Sequence, residues 1–265
     1  MTSWLGQYCL NVTDLETSIA FYTALGLECT SRTEIPQAFE SIVEHPGGGS
    51  KLQLAQQKEQ EATLDRGTAF WKLYVNTHDI QASYEKALVA GATVDSAPQR
   101  LERWPVTVGF VRDPDGYLVE LVERHPWPDD APAGAPWLGQ YCLNVTDIEA
   151  TVAFYELLGL TCTSRTDIGH ALEAIVEQPG QGSKLQLAQH REQDGPLRMG
   201  SMWKLYVNTE DCAGLHDKAV AAGHASLVAP MRLDRWPVTI AFVADPDGYQ
   251  VELVQRHEPT ERTSP

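Results

Sequence analysis

Cysteine is the first residue type in this chain that could do nucleophilic or metal chemistry. There are five cysteines, and no two of them form a CxxC motif. Cys9, Cys29, Cys142 and Cys162 lie in strand-like segments, where a thiol is more often buried and inert than nucleophilic. We therefore expect free thiols, typical of a reducing compartment, and favour a packing role for Cys9 over a nucleophilic one.

Histidine, a common general base and metal ligand, forms no known signature here. Of the eight histidines, only His125 and His257 occupy matching places in the two halves of the chain. HExxH, Ser-His-Asp and dinucleotide signatures are missing, and the glycines at 47–49 precede a strand rather than the helix of a P-loop. The sequence thus offers no standard zinc-protease, hydrolase or nucleotide-binding site.

The elements that position any site occur twice. WLGQYCLNVTDLETSIAFY begins at Trp4, and WLGQYCLNVTDIEATVAFY begins about 133 residues later at Trp137. A repeat this long indicates a duplicated domain rather than a solenoid unit. We expect a first domain over 1–125, a stiff Pro/Ala linker over 126–136, a second domain over 137–259 and a tail over 260–265.

Charge and hydropathy narrow the possible partners. The formal net charge of −16 argues against nucleic acid and anionic membranes, which attract basic patches. No apolar run approaches the roughly 20 residues that a membrane-spanning helix needs. The start of the sequence lacks the features of a secretory leader. We expect a cytoplasmic protein.

Each copy contains the same short elements twice. Thr13 to Glu16 predicts a capping box at the start of a helix, and Thr146 to Glu149 repeats it. The helix ends at Gly26, and three strand-like segments follow it. The second half of the copy has one strand, one helix and three strands, the last two joined by a DPDG turn. The pattern predicts four βαβββ modules.

These segments resemble the vicinal-oxygen-chelate superfamily, which includes glyoxalase I, bleomycin-resistance proteins and extradiol dioxygenases. NVTDLETSIAFYTALGL is similar to its opening strand and helix, and FVRDPDGYLVELVE and FVADPDGYQVELVQ to its closing hairpin. The resemblance implies an α+β fold in which tandem βαβββ modules form curled mixed sheets around cup-shaped cavities. The resemblance covers nearly the whole chain. Because the superfamily includes proteins of many functions, it does not identify a single function for this one.

In metal-dependent members of the superfamily, four side chains converge in each cup. The resemblance carries these positions to Gln7, Gln53, Lys72 and Glu120 in the first copy and to Gln140, Gln186, Lys204 and Glu252 in the second. A lysine ammonium repels a divalent cation, whereas imidazole and carboxylate groups bind it. We therefore expect no metal and no other cofactor.

At the positions that the resemblance indicates, the candidate catalytic residues are Lys72, Glu120, Lys204 and Glu252. Their opposite charges lead us to expect two ion pairs. Three alternatives remain open: the pairs fill inactive sites, they bind or move protons on a ligand, or the lysines point outward. Strand alternation places Trp71 and Leu73 opposite Lys72, toward the helix-covered core, and so favours a lysine that faces the cup.

The same alternation predicts which other side chains line the cups. The expected ligand-binding residues are Gln7, Cys9, Asn11, Gln53, Tyr74 and Phe110 in the first copy, and Gln140, Cys142, Asn144, Gln186, Tyr206 and Phe242 in the second. This mixture of aromatic and polar groups is typical of small-molecule pockets. Arg103-Trp104-Pro105 and Arg235-Trp236-Pro237 either form pocket mouths or pack as turns.

Three functions follow from this interpretation. The first is a metal-free binding protein for a small organic molecule, similar to bleomycin-resistance proteins. The second is a lyase or isomerase that uses the Lys/Glu pairs for acid–base or enolate chemistry. The third, a metal-dependent glyoxalase-like enzyme, is weakened by the lysines. The sequence leaves open whether modules pair within or between copies, and whether the protein is a monomeric pseudo-dimer or a homodimer.

Overall fold

The apolar alternation of the predicted strands produces a fold of four βαβββ modules. The computed structural model describes residues 2–59, 63–129, 131–134, 136–193 and 195–258. The expected tail at 260–265 and two linker positions, 130 and 135, lie outside these described residues. Within them, no helix is long and apolar enough to cross a membrane.

The four modules have nearly identical boundaries. The first contains β1 (Ser3–Asn11), α1 (Leu15–Ala24), β2 (Glu28–Glu34), β3 (Ala38–Glu44) and β4 (Lys51–Gln57). The second contains β5 (Phe70–Asn76), α2 (Ile80–Val89), β6 (Thr93–Arg100), β7 (Val106–Arg112) and β8 (Leu118–Arg124). The third contains β9 (Trp137–Asn144), α3 (Ile148–Leu157), β10 (Thr161–Asp167), β11 (Ala171–Gln178) and β12 (Gln181–His190). The fourth contains β13 (Met202–Thr209), α4 (Cys212–Ala221), β14 (Ser226–Arg232), β15 (Val238–Ala244) and β16 (Gln250–Arg256).

The modules pair between the two copies rather than within each copy. One eight-stranded sheet has the order β14-β15-β16-β13-β1-β4-β3-β2, and the other has the order β10-β11-β12-β9-β5-β8-β7-β6. The joints are antiparallel pairs, β1 with β13 and β5 with β9. This resolves the alternative that the sequence left open, and the single chain completes both sheets.

The two modules of one copy remain joined at the start of their first helix. Thr13 donates from its backbone N and its Oγ1 to Asp115 Oδ1, at 3.0 and 2.6 Å. Tyr22, on the buried face of α1, donates its hydroxyl to Asp113 Oδ2 at 2.8 Å. The DPDG turn of the second module therefore holds the helix of the first.

These contacts correct the predicted capping boxes. Asp14 and Asp147, rather than the preceding threonines, are the N-caps and accept backbone N–H groups of the first helical turn. Glu16 pairs with Arg32 instead of returning to the cap. Threonine and aspartate are both favourable N-cap residues. Because the threonine side chain is hydrogen-bonded to the DPDG turn, the aspartate that follows it caps the helix.

The sheets enclose the core on one face and the cups on the other. The large core cluster includes Tyr8 and Tyr141, whose rings stack with centroids 4.1 Å apart where the two sheets meet. Two smaller clusters lie beneath the cups, around Tyr206 and Tyr74. The predicted α+β fold of tandem βαβββ modules is confirmed.

Trp71 does not lie on the predicted face. The pairing of β5 with β9 shifts register between Phe70 and Lys72. Phe70 consequently enters the core, and Trp71 packs with the cup cluster. A β-bulge breaks the two-residue period on which the prediction relied.

Candidate functional site

Each cup is built from one module of each copy. In the first, which we call the Lys204 cup, Gln7 and Gln53 lie with Lys204 and Glu252. In the second, the Lys72 cup, Gln140 and Gln186 lie with Lys72 and Glu120. Of the two pairings that the sequence left open, the one between copies brings these positions together, because β1 pairs with β13 and β9 pairs with β5.

A buried ion pair lies at the floor of each cup. Lys204 Nζ is 2.8 Å from Glu252 Oε2, and Lys72 Nζ is 2.8 Å from Glu120 Oε2. Lys72, Glu120 and Glu252 are each 7 % exposed, and the side chain of Lys204 is 11 % exposed. The lysines therefore face the cups.

Parallel strand pairing explains why each pair forms. Tyr206 on β13 is opposite Glu252 on β16, and Tyr74 on β5 is opposite Glu120 on β8. Each lysine is two residues before its tyrosine on the same strand, so its side chain lies on the same face as the glutamate. The long lysine side chain then spans the remaining distance.

Aromatic rings surround each ammonium group. Lys204 Nζ lies 4.5, 4.9 and 5.6 Å from the ring centroids of Trp203, Tyr206 and Phe242. In the other cup the distances from Lys72 to Trp71, Tyr74 and Phe110 are 4.1, 5.0 and 5.7 Å. These distances fall within the range of cation–π attraction. The positive charge is thus stabilised by both a carboxylate and ring faces.

A second carboxyl group in each cup was missed by the sequence analysis. Glu40 on β3 lines the Lys204 cup, and Glu173 on β11 lines the Lys72 cup. Burial raises the pKa of both carboxyls, and the nearby lysine only partly opposes it. Their recurrence at matching positions of the repeat was the available signal.

The cavities are large enough for an organic molecule. Their volumes are about 600 Å³ for the Lys204 cup and about 610 Å³ for the Lys72 cup. Trp236 and Trp104 line the respective mouths and are each 38 % exposed. These tryptophans therefore form pocket mouths, one of the two expected roles.

The arginines beside these tryptophans tie the two copies together. Arg103 donates to the carbonyl oxygen of Asp167 at 2.9 Å, and Arg235 donates to that of Glu34 at 2.7 Å. Each guanidinium also lies 4.6 Å from the ring centroid of its neighbouring tryptophan. The two arginines therefore stabilise the rim of each cup and do not form an open anion-binding site.

Four predicted ligand-binding residues lie away from the cavity walls. Cys9 and Cys142 are fully buried beneath the cups. Asn11 Oδ1 accepts a hydrogen bond from Gln57 at 2.8 Å, and Asn144 Nδ2 donates to the carbonyl oxygen of Thr68 at 2.8 Å. Alternation predicts the face of a strand on which a side chain lies, but not whether the cavity reaches that part of the face.

The buried thiols and phenols of the cups are held in their neutral forms. Burial raises the pKa of the Cys9 and Cys142 thiols well above the usual value, against an opposing effect of the nearest lysine. Burial also raises the pKa of Tyr74 and Tyr206, both of which line the cavities. The Lys/Glu pairs and the second carboxyls therefore carry the ionic chemistry of the cups.

The two cups differ at one edge. His170 lines the Lys72 cup, and its ring centroid lies 5.9 Å from that of His190. Glutamines, Gln37 and Gln57, occupy the matching positions of the repeat. Burial, His170 and Lys72 lower the pKa of His190. The Lys72 cup is therefore the more aromatic of the two.

The residues at the cup floors do not fit a divalent metal. Each lysine ammonium lies within 2.8 Å of the glutamate oxygen that would bind such an ion. A fixed positive charge there repels a cation, and the adjacent glutamines provide only neutral amide oxygens. In the described part of the chain, no three His, Cys, Asp and Glu side chains are grouped to hold a metal.

Comparison with known proteins gives the family. A sequence profile of the Glyoxalase/Bleomycin resistance protein/Dioxygenase superfamily matches residues 4–121 and 137–253. The chain belongs to this superfamily and carries its domain twice in tandem.

Known relatives share moderate identity with the chain. A lactoylglutathione lyase of Arabidopsis thaliana is 28% identical over 149 residues, which cover 55% of this chain and 50% of that protein. The chain thus matches about half the length of that relative. A lactoylglutathione lyase of Oryza sativa is 23% identical over 260 residues, or 92% of this chain and 86% of that protein.

The fold also matches a solved structure over nearly its full length. Glyoxalase I from Zea mays superposes with a TM-score of 0.83 at 22% identity, covering 96% of this chain and 92% of that chain. At this identity the similarity establishes the arrangement of the modules and leaves the chemistry of the cups to their own residues.

Proposed function

We propose that each cup binds a small organic molecule and uses its lysine ammonium, in place of a divalent cation, as a fixed positive charge. The observation that carries this proposal is the 2.8 Å contact between each lysine and the glutamate of its cup. A cytoplasmic setting is part of the proposal, and the five free thiols support it.

The ammonium has a defined task in such a site. Placed among aromatic rings at the floor of a cavity, it can polarise a ligand carbonyl more strongly than in water. The glutamate beside it is positioned to accept or return a proton. Binding needs only the first property, whereas catalysis needs both.

A second candidate function is a lyase or isomerase of the same superfamily. In this reaction Glu120 or Glu252 would move a proton on the ligand, and Lys72 or Lys204 would stabilise the resulting enolate. Both members of each pair line their cavity, and the rice relative matched over most of the chain is a lactoylglutathione lyase. Lactoylglutathione is therefore the compound with which to separate binding from turnover.

Metal analysis and a turnover assay on one preparation test these functions together. We expect elemental analysis of protein purified without chelator to find far less than one Zn, Ni, Fe or Mn per cup. We also expect lactoylglutathione to remain unconverted, because the preferred function is binding. Conversion without metal, lost in Lys72→Met/Lys204→Met, would establish the lyase. Near-stoichiometric metal that disappears in Glu120→Gln/Glu252→Gln would contradict the proposal and support a metal enzyme.

A further inference from the structure

The second carboxyl of each cup has no cation of its own. Glu40 lies on β3 across the Lys204 cup from Glu252, which already holds the ammonium at 2.8 Å. Glu173 has the same place relative to Glu120 and Lys72 in the other cup. The inner part of each cup thus contains two carboxyls and one ammonium.

Among the described residues, the Lys204 cup contains buried side-chain oxygens that accept no hydrogen bond. Glu40 Oε1 and Gln53 Oε1 are buried and have no hydrogen-bond partner among the described residues. Gln53 is only 4 % exposed, so its amide oxygen cannot be satisfied by bulk water. Buried acceptors without donors cost free energy, and a ligand N–H group would recover it once one of these side chains turns its oxygen toward the cavity.

The Lys72 cup has the same polar groups in a slightly different arrangement. Gln140 Nε2 approaches Gln186 Oε1 at 3.4 Å, so this amide oxygen has a donor, although a distant one. Glu173 lines this cup together with Glu120 and Lys72. The surplus of carboxyls is therefore common to both cups, and the unpaired amide oxygen is specific to the Lys204 cup.

The remaining walls suit a cation better than an anion. Trp236 and Phe242 line the Lys204 cavity, and aromatic rings attract positive charge. The cations outside the floor are at the mouth: Arg256 is exposed, and Arg235 is bound to a carbonyl oxygen of the other copy. An anionic ligand group could pair with these arginines only at the entrance. Inside the cup, the carboxyls would repel it.

From these contacts we propose that Glu40 and Glu173 are specificity-determining residues that select organic cations bearing N–H donors for the two cups. The ammonium or amidinium of the ligand binds between the paired glutamates, and its apolar part lies against the aromatic walls. This inference rests on the proposed binding function and adds the charge class of the ligand.

Three probes that share one bicyclic ring test the charge class: naphthylmethylammonium, naphthylmethanol and naphthoate. Calorimetry at neutral pH should show the ammonium binding at least about tenfold more tightly than naphthoate, because two carboxyls face it. In Glu40→Gln/Glu173→Gln this preference should shrink to within about threefold. The matched control, Glu85→Gln/Glu156→Gln, removes the same charge from exposed helix positions and should keep the full preference.

Cavity-filling substitutions show where the probes bind. Leu101 and Leu233 line the two cavities, so Leu101→Trp/Leu233→Trp should remove binding. Equal or tighter binding of naphthoate, or a preference for the ammonium that survives Glu40→Gln/Glu173→Gln, would overturn the charge class while the binding function stands. Binding that survives the cavity-filling variant, or no saturable binding of any probe, would overturn both.

Discussion

At the scale of single residues, each cup depends on the mutual neutralisation of a buried lysine and glutamate. Lys204 and Glu252 lose most of their contact with water, and the 2.8 Å contact between them compensates for that loss. Replacing the whole pair by apolar groups need not destabilise the protein, but removing one partner leaves a buried charge without compensation.

Truncation of one partner should therefore cost far more than loss of a surface pair. Glu252→Ala should lower the free energy of unfolding by about 3–5 kcal/mol, and Glu252→Gln, which keeps an oxygen near the ammonium, by less. The matched control is Glu149→Ala, which breaks the exposed pair with Arg165 and should cost at most about 1 kcal/mol. Denaturant titrations measure both, and equal losses would show that the Lys204 pair is solvated.

The sequence identified the chemical groups of the cups better than their surroundings. Lys72, Glu120 and the glutamines were found because both copies carry them at family positions. Glu40 was missed because the candidate residues were taken from the ligand positions of the family, and Glu40 is not one of them. Its recurrence as Glu173 in the second copy was the signal that could have identified it. Cys9 and Asn11 were assigned to the cups because alternation predicts the face on which a side chain lies, not whether the cavity reaches it.

At the scale of elements, the contacts between helix starts and DPDG turns hold the two sheets together. Asp113 is buried, and it accepts hydrogen bonds from the Tyr22 hydroxyl at 2.8 Å and from the Tyr117 backbone N–H at 2.8 Å. Burial nevertheless raises the pKa of Asp113 to about 7. Asp245 repeats this arrangement in the second copy, where burial again raises the pKa to about 7.

The raised pKa gives this contact a signed pH dependence. An aspartate in the unfolded chain titrates near ~3.9, so between about pH 4 and 7 the folded protein holds a proton that the unfolded chain has released. The contribution of Asp113 to the free energy of unfolding therefore falls as pH rises through this window and is constant above it.

Asp113→Asn should remove this fall in the free energy of unfolding, because asparagine does not titrate. The free energy of unfolding of the variant minus that of the parent should increase by up to about 4 kcal/mol between pH 4 and 7, then stay level. Asp95→Asn, at an exposed carboxylate paired with Arg112, is the control and should show a much smaller change. Denaturant midpoints across this range test the sign, and a difference that is independent of pH would contradict a buried, protonated Asp113.

The number and order of the helices and strands were predicted correctly, and the local exceptions have physical causes. Thr13 was predicted as a helix cap, but it binds Asp115 of a turn about 100 residues away, which no local pattern reveals. Trp71 was predicted on the core face, but a bulge between Phe70 and Lys72 turns it toward the cup. Both exceptions arise from contacts distant in the chain.

At the scale of the whole molecule, the two copies are interdependent because each cup takes one wall from each. The repeat could not predict this pairing, since two nearly identical copies offer the same strand edges for pairing within or between them. The loop at 65–69 and the loop at 197–201 also meet directly: the backbone N–H groups of Thr68 and Ala69 donate to the carbonyl oxygen of Arg198 at 2.8 and 3.0 Å. Substitutions in one copy should therefore act on the cups of both.

The most direct test of the account is calorimetric titration with Ni²⁺ of two variants that carry the same kinds of substitution. Lys204→His/Gln53→Glu places both changes in one cup, removes the ammonium and gives Glu252 two new metal-binding neighbours. Lys72→His/Gln53→Glu divides the changes between two cups. We predict one saturable Ni²⁺ site in the first variant, lost on adding Glu252→Gln, and none in the parent or the second variant. Equal binding by both variants, or none by the first while it remains folded, would contradict a cup formed between copies in which lysine replaces the metal.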